Sequence, residues 1–182
     1  MDLSSFALLI AAGLIGGACN AVAGGGTFFT FPALLAVGVP PIVANATSAI
    51  SIWPGHATSL LGYRKELARH AGRLKSSAPA FVIGAVIGAA LLAVTGNGVF
   101  RQLIPWLLLV ATLLFAIGPT LRTWISTNRS GTLPKPVIFL IDLVVAIYGG
   151  YFGAGLGILL MAVLTLIGLS DVNEANAVKN AL

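Results

Sequence analysis

From Leu3 to Tyr63 the chain contains no Asp, Glu, Lys or Arg. A soluble domain carries about 25% charged residues, so an uncharged run of this length excludes a water-soluble fold. At about 20 residues per transmembrane helix, the run predicts two or three membrane spans. It is interrupted at Gly24-Gly25-Gly26. Lipid cannot satisfy the backbone groups that a broken helix exposes, so this break requires protein or a water-filled cavity around it.

The composition of the whole chain gives the same class. Of 182 residues, 58% are hydrophobic and 8% charged, with a mean hydropathy of +1.00. These values predict an all-α, polytopic transmembrane bundle. The net charge of +5 does not indicate a nucleic-acid partner, because the basic residues lie in short loops between apolar segments. Cys19 is interpreted as a small packing residue rather than a redox group or a ligand. No cofactor or metal site is predicted.

The apolar segments predict seven helices with two short members. Residues 27–39 and 158–169 both follow glycine breaks, and the first would form only about 20 Å of helix. A hydrocarbon core is about 30 Å thick, so this segment is interpreted as a half-helix or a strongly tilted one. Residues 96–98 are predicted to form a turn. The predicted helices are 5–23, 27–39, 42–63, 77–95, 103–121, 136–152 and 158–169.

The basic residues predict the orientation in the membrane. Eight of the ten Lys and Arg residues fall in two predicted loops, residues 64–75 and 122–135. The positive-inside rule places both loops in the cytoplasm. If segment 27–39 crosses the membrane, the N-terminus lies outside, which is the favoured topology. If the segment is re-entrant, the N-terminus lies inside. Asp142 is the lone carboxylate within a predicted span, and is interpreted as functional, as solvated, or as paired with Lys135.

An internal repeat relates the two glycine breaks. Gly24-Gly25-Gly26, a short apolar segment, Gly38 and Ala44-Asn45-Ala46 recur as Gly155-Leu156-Gly157, a second short segment, Gly168 and Ala175-Asn176-Ala177. The predicted units are a first repeat at 1–121, a cytoplasmic loop at 122–135 and the start of a second repeat at 136–182. The second short segment is the fifth segment after the first, so on the favoured topology the second copy is inverted, as in many secondary transporters. Completing the second repeat would need roughly 70 further residues, which predicts that this chain is a fragment.

The first glycine motif resembles the sulfite exporter TauE/SafE family. Residues 17–35, GACNAVAGGGTFFTFPALL, carry the resemblance together with Gly38 and the run from Ala44 to Ser48. It extends into the second half through residues 148–157 and 173–180. The resemblance implies a helical permease of the bacterial cytoplasmic (inner) membrane that exports sulfite, sulfonates or related small anions. The chain departs from the family pattern by lacking the end of the second repeat.

A substrate site is predicted between the two glycine breaks. Helix N-termini and glycine-exposed N–H groups meet the charge of an anion without a full positive charge that would trap it. Nearby amide and hydroxyl side chains add further donors. The candidate substrate-binding residues are Asn20, Gly24, Gly25, Gly26, Thr27, Asn45, Thr47, Ser48, Gly155, Gly157, Asn176, Lys179 and Asn180.

Three further residue types have two interpretations each. Lys179 is either the cation of the pocket or an interfacial lysine that snorkels to water. His56 is a candidate for proton coupling, because histidine titrates near neutral pH, or it is hydrogen-bonded near the expected kink at Pro54. The three tryptophans are interpreted as interfacial anchors or packing residues rather than binding platforms.

These features predict an exporter of a small anion that works by alternating access. A passive anion channel and a fragment that does not transport are the alternatives. An intramembrane enzyme is not expected, because the chain contains no Gly-x-Ser-x-Gly, no His-Glu-x-x-His and no carboxylate pair; no catalytic residue is predicted. The expected partners are the anion and the lipid bilayer, and a homo-oligomer is left open.

Overall fold

A computed structural model describes residues 2–128, 133–169 and 171–182 of the chain. This part contains eight α-helices and no strand, so the predicted all-α fold is confirmed. The helices are α1 Leu3–Ala23, α2 Thr27–Ala36, α3 Pro41–Gly62, α4 Arg64–Arg69, α5 Ala71–Asn128, α6 Lys135–Tyr151, α7 Leu156–Leu166 and α8 Val172–Ala181.

Two of the described helices have the length and composition of membrane spans, within Leu3–Ala21 and Ala71–Thr120. The second is a pair of helices that meet at Gly96, where φ is 72° and ψ is 152°. Only glycine adopts this backbone conformation without strain. The break lies in the predicted turn, and residues 71–95 alone would reach about 38 Å at 1.5 Å per residue. Each part of α5 is therefore long enough to cross the hydrocarbon core.

The two predicted polar loops are largely helical, and this part of the prediction was wrong. Residues 64–75 form α4 and the first turn of α5, and α5 continues to Asn128 in the second loop. Residues 129–132 lie outside the described residues. Lys, Arg, Glu, Leu and Ala all have high helix propensity, so a charged segment leaves the hydrocarbon without leaving the helix.

The two short apolar helices, α2 and α7, end in the same backbone pattern. Gly38, with φ of 86°, donates its N–H to Leu35, and the next residue donates to Leu34. Gly168, with φ of 100°, donates to Thr165, and the next residue donates to Leu164. This is a glycine cap that satisfies the last carbonyls of a helix. Because the same cap closes the short helix after each glycine break, it supports the predicted repeat.

Glycines bring α5 and α6 into backbone contact. A Cβ placed on Gly84 would lie 2.8 Å from the carbonyl oxygen of Leu143, and one on Gly88 would lie 2.7 Å from the backbone nitrogen of Tyr151. Real side chains do not come this close. The Gly84-xxx-Gly88 spacing is therefore a helix-packing motif, as expected for small residues at membrane interfaces.

α3 and α8 begin at opposite ends of the first part of α5. The backbone N–H of Ile42, near the start of α3, donates to Asn97 Oδ1, just beyond the break in α5. Glu174, near the start of α8, contacts Arg69 and His70, just before α5 begins. The two helices that follow the short segments therefore start about 38 Å apart along α5, at 1.5 Å per residue.

Candidate substrate site

The two glycine breaks meet in space. A Cβ on Gly24 would lie 2.6 Å from the Cα of Gly157, and a Cβ on Gly157 would lie 2.5 Å from the Cα of Gly24. The backbones of the two breaks are thus in direct contact, and neither position has room for a side chain. Gly24 also has φ of 82°, which favours glycine for a second reason.

A cavity of about 360 Å³ lies beside this contact. Its size falls at the lower end of the range for small-molecule sites. α1, α2, α3, α6, α7, α8 and residues that join them all contribute to its wall. The predicted site residues that line it are Asn20, Gly24, Thr27, His56, Gly157, Lys179 and Asn180.

Lys179 is the one Lys, Arg, Asp or Glu side chain that lines this cavity among the described residues. It is 4% exposed, and its Nζ has no hydrogen-bond partner among the described residues. The interpretation of Lys179 as a residue that snorkels to water was wrong, because its side chain is buried beside the cavity. A buried ammonium without a counter-charge is costly, and a bound anion would offset that cost.

His56 joins the two halves of the chain by hydrogen bonds. Its Nε2 lies 3.2 Å from Asn20 Nδ2, and its Nδ1 lies 3.2 Å from Asn180 Oδ1. With the Asn20 amide donating, Nε2 must accept, so Nδ1 carries the proton and donates to Asn180. This assignment describes a neutral ring. The interpretation of His56 as a residue hydrogen-bonded within its own helix kink is replaced by a bridge between α1, α3 and α8.

A second cavity, of about 420 Å³, lies on the other side of this bridge. The residues that line both cavities are Asn20, Ile52, His56 and Asn180. They therefore lie between the two spaces. The hydroxyl groups of Ser51 and Ser59, which line the second cavity, donate to backbone carbonyls of α3.

The remaining predicted site residues lie elsewhere. Gly26 packs against the backbone of Gly16, and Gly155 lies near Ala111. Asn45 Nδ2 donates to the carbonyl of Tyr151 at the end of α6. Those that do not line the first cavity are Gly25, Gly26, Asn45, Thr47, Ser48, Gly155 and Asn176. Their role in substrate binding stays a prediction.

The predicted repeat places different side chains at equivalent positions. Ser48 and Lys179 each lie three residues after the asparagine of an Ala-Asn-Ala motif, and both are buried. Ser48 forms a hydrogen bond with Thr30 Oγ1, which also donates to the carbonyl of Gly26. The counterpart of Thr30 in the second copy is Leu160 or Met161, neither of which offers Lys179 a comparable oxygen. At these two positions the first unit carries a neutral hydroxyl group with a hydrogen-bond partner, and the second carries an ammonium that has none among the described residues.

The apolar wall of the cavity did not follow from the sequence. Trp53 lines the cavity although it is 68% exposed, so its interpretation as an anchor or packing residue accounts for only part of its surroundings. The identity of a hydrophobic residue in a membrane helix does not indicate whether its side chain faces lipid or a cavity. The apolar residues of the wall include Ile52, Trp53, Leu60, Phe152, Leu156 and Leu160.

Asp142 lies outside the cavity and is paired. Its side chain is 2% exposed, and both carboxylate oxygens lie 2.9 Å from an Arg73 guanidinium nitrogen. The interpretations of Asp142 as solvated or as paired with Lys135 were therefore wrong. Glu174 forms a further ion pair with Arg69, and its other carboxylate oxygen lies 3.0 Å from His70 Nε2.

Comparison with known proteins assigns the chain to a family. The sequence profile described as Sulfite exporter TauE/SafE matches residues 9–182. A probable membrane transporter protein of a Sinorhizobium species is 31% identical over 83% of the chain and 57% of its own length. Probable membrane transporter proteins of Haemophilus influenzae and Escherichia coli (YfcA) are 28% and 30% identical over 93% and 86% of the chain. The chain spans 57 to 66% of the length of these relatives. No solved structure matches it.

Proposed function

Since the chain belongs to the sulfite exporter TauE/SafE family of multi-pass inner-membrane proteins, we propose that the protein is a transporter that exports a small anion. The names of its relatives support a membrane transporter and leave the cargo open. The choice of an anion rests on this chain's own residues. Its expected partners are that anion and the surrounding lipid.

One observation carries the proposal: a buried, unpaired ammonium in a cavity where the two glycine breaks meet. Lys179 supplies the positive charge and has no partner among the described residues. The amide groups of Asn20 and Asn180 retain N–H donors beyond those that the His56 bridge uses. A transporter must also release its cargo, and Lys179 is the one Lys or Arg of the described cavity wall that a departing anion would have to leave.

The Asn20–His56–Asn180 bridge favours a carrier over a passive channel. Its three residues line both cavities, so an anion that passes between the cavities would meet side chains of α1, α3 and α8. The starts of α3 and α8 at opposite ends of the first part of α5 support the inverted repeat on which alternating access would operate. His56 itself is the candidate group for coupling the anion to a proton.

Replacing Lys179 tests the proposal. Lys179→Gln should lower anion export from proteoliposomes about 30-fold or more, since losing one partner of a buried charged contact costs at least about 2 kcal/mol. The probes are sulfite and butanesulfonate, measured at equal amounts of inserted protein. Lys75→Gln is the matched control, because it removes a positive charge from an exposed position of α5. Lys179→Gln export at the level of this control would refute the assignment of the site.

A further inference from the structure

A cluster of aromatic side chains borders the first cavity. Phe152 lines the cavity, and its ring packs edge-on against Phe31 at a centroid distance of 5.4 Å and against Phe100 at 6.2 Å. Phe100 in turn packs against Tyr151 at 5.9 Å. Phe31 and Phe100 are fully buried, and Phe152 is 2% exposed. These four side chains are called the aromatic cluster below.

The aromatic cluster is assembled from three separate parts of the chain. Phe31 belongs to α2, Phe100 to the second part of α5, and Phe152 to the segment between α6 and α7. Phe31, Phe100 and Tyr151 do not line the cavity, so Phe152 lies between them and the open space. Buried rings in contact are packed as densely as an organic crystal and leave no passage for an ion. The cavity is therefore closed where Phe152 meets the other rings.

The contacts of Tyr151 place the aromatic cluster toward the break in α5. The hydroxyl groups of Thr95 and Tyr151 lie 3.3 Å apart, and Asn45 Nδ2 donates to the carbonyl of Tyr151. Asn97, two residues after Thr95, accepts a hydrogen bond from the backbone N–H of Ile42. On the topology predicted from the basic residues, this end of α5 faces the outside. The aromatic cluster thus lies on the outer side of the cavity.

Phe152 lies in a segment that can change conformation without unfolding a helix. It is the first of the four residues that join α6 to α7, and two of the others, Gly153 and Gly155, have φ of 77° and 74°. Glycine moves between backbone conformations at little cost. The hydroxyl group of Tyr148 donates to the carbonyl of Ala154 and holds the segment in its present conformation. The ring of Phe152 can therefore move while α6 and α7 stay intact.

The predicted repeat does not place a ring at the position equivalent to Phe152. The offset that relates Gly24 to Gly155 relates Ala21 to Phe152. Ala21 lines the second cavity and has only a methyl side chain. A packing need shared by both copies would call for a large residue at both positions. A barrier on one side of the cavity calls for it at Phe152 alone.

From these features we propose that the aromatic cluster is the outer gate of the first cavity and that Phe152 is its moving residue. In the conformation described here the cluster closes the cavity toward the outside. Release of an anion to that side requires the ring of Phe152 to leave Phe31 and Phe100. This inference rests on the proposed function and specifies how the same site is closed.

Cysteine labelling tests whether Phe152 closes the cavity. Ala57, which lines the cavity from α3, is replaced by cysteine in a Cys19→Ala background, and its reaction with an impermeant thiol reagent is followed in intact cells. Phe152→Ala should raise this rate about tenfold or more, because it removes two ring contacts that each favour the closed state by roughly two- to tenfold. The rate from the cytoplasmic side, measured in inverted membrane vesicles, should stay the same.

Phe81→Ala is the matched control. Phe81 is 7% exposed, packs in a separate hydrophobic cluster with Val145 and Val163, and does not line the cavity. It loses the same side-chain atoms as Phe152→Ala, so loosened packing alone would raise the labelling rate in both variants. Phe152→Leu keeps much of the volume without the ring; it should label at an intermediate rate and provides the test if Phe152→Ala does not fold. Equal rates in the Phe81 and Phe152 variants, or a rise from the cytoplasmic side only, would overturn the proposal.

The outcomes separate this inference from the proposed function, because labelling requires no substrate. If Phe152→Ala opens the cavity to the outside and Lys179→Gln changes no export rate, the outer gate stands and the proposed function fails. If Lys179→Gln lowers export and the Phe152 variants label like the wild type, the anion site stands and the gate fails.

Discussion

Arg73 and Lys179 are both cations buried in the helical bundle, and they differ in what faces them. The Arg73 side chain is 15% exposed and is paired with the buried carboxylate of Asp142. Lys179 is 4% exposed and has no partner among the described residues. A buried charge that is matched within the chain holds helices together. A buried charge that is left unmatched has a cost that a ligand of opposite charge can remove.

The two sites also differ in how they connect the helices. The Arg73–Asp142 pair links α5 directly to α6. Lys179 instead lies beside a cavity whose wall is supplied mostly by α3, α7, α8 and the second glycine break. The paired charge fixes one arrangement of the helices, and the unpaired charge leaves space for something to bind.

The largest expected effect concerns the paired charge. Asp142→Ala should lower the free energy of unfolding by about 3–5 kcal/mol, because it leaves Arg73 buried without a counter-charge. Thermal unfolding of the purified protein in detergent measures this. The double variant Arg73→Met/Asp142→Ala should recover most of the loss, since it removes both charges. A double variant no more stable than Asp142→Ala would show that the pair is not what the stability depends on.

A smaller effect of opposite sign is expected at the unpaired charge. Lys179→Met should raise the free energy of unfolding by about 1–2 kcal/mol in the absence of anions, because it removes an uncompensated buried charge. Adding butanesulfonate should raise the unfolding temperature of the wild type and not of the variant, since only the former binds the ligand. Destabilisation by Lys179→Met would mean that the ammonium has a structural partner, and the contrast with Arg73 would be lost.

The smallest effect at neutral pH is expected at His56. His56→Gln keeps a hydrogen-bonding side chain between Asn20 and Asn180, so butanesulfonate affinity at pH 8 should change less than about threefold. Among the described residues, the charged or titratable side chains that line the same cavities as His56 are Lys179 in the first and Tyr63 in the second. Protonation of His56 would add a positive charge beside Lys179. Wild-type affinity should therefore rise as the pH falls from 8 to 5.5, while that of the variant stays level. A variant with the wild-type pH profile would make His56 a structural bridge only.

The helical fold was largely predictable from the sequence, and six of the thirteen candidate substrate-binding residues line the first cavity. Spans follow from hydropathy, and Gly24, Gly96 and Gly168 all mark real interruptions with positive φ. Glycine is informative here because helix breaks in a membrane need a residue that tolerates unusual backbone angles. The prediction of two polar loops was wrong because charged residues indicate where a segment meets water. They do not indicate whether that segment is helical.

The sequence by itself therefore determined the class of protein. It also determined the two glycine breaks and their repetition, and the residues from which a polar site could be built. Tertiary structure alone decided which buried charges are paired. Arg73 and Asp142 form an ion pair. Ser48 and Lys179 occupy equivalent positions of the predicted repeat, and they face a hydroxyl group and an open cavity, respectively. The physical reason is that pairing depends on which helix faces which across long separations in the chain. Local periodicity and hydropathy carry no information about those contacts.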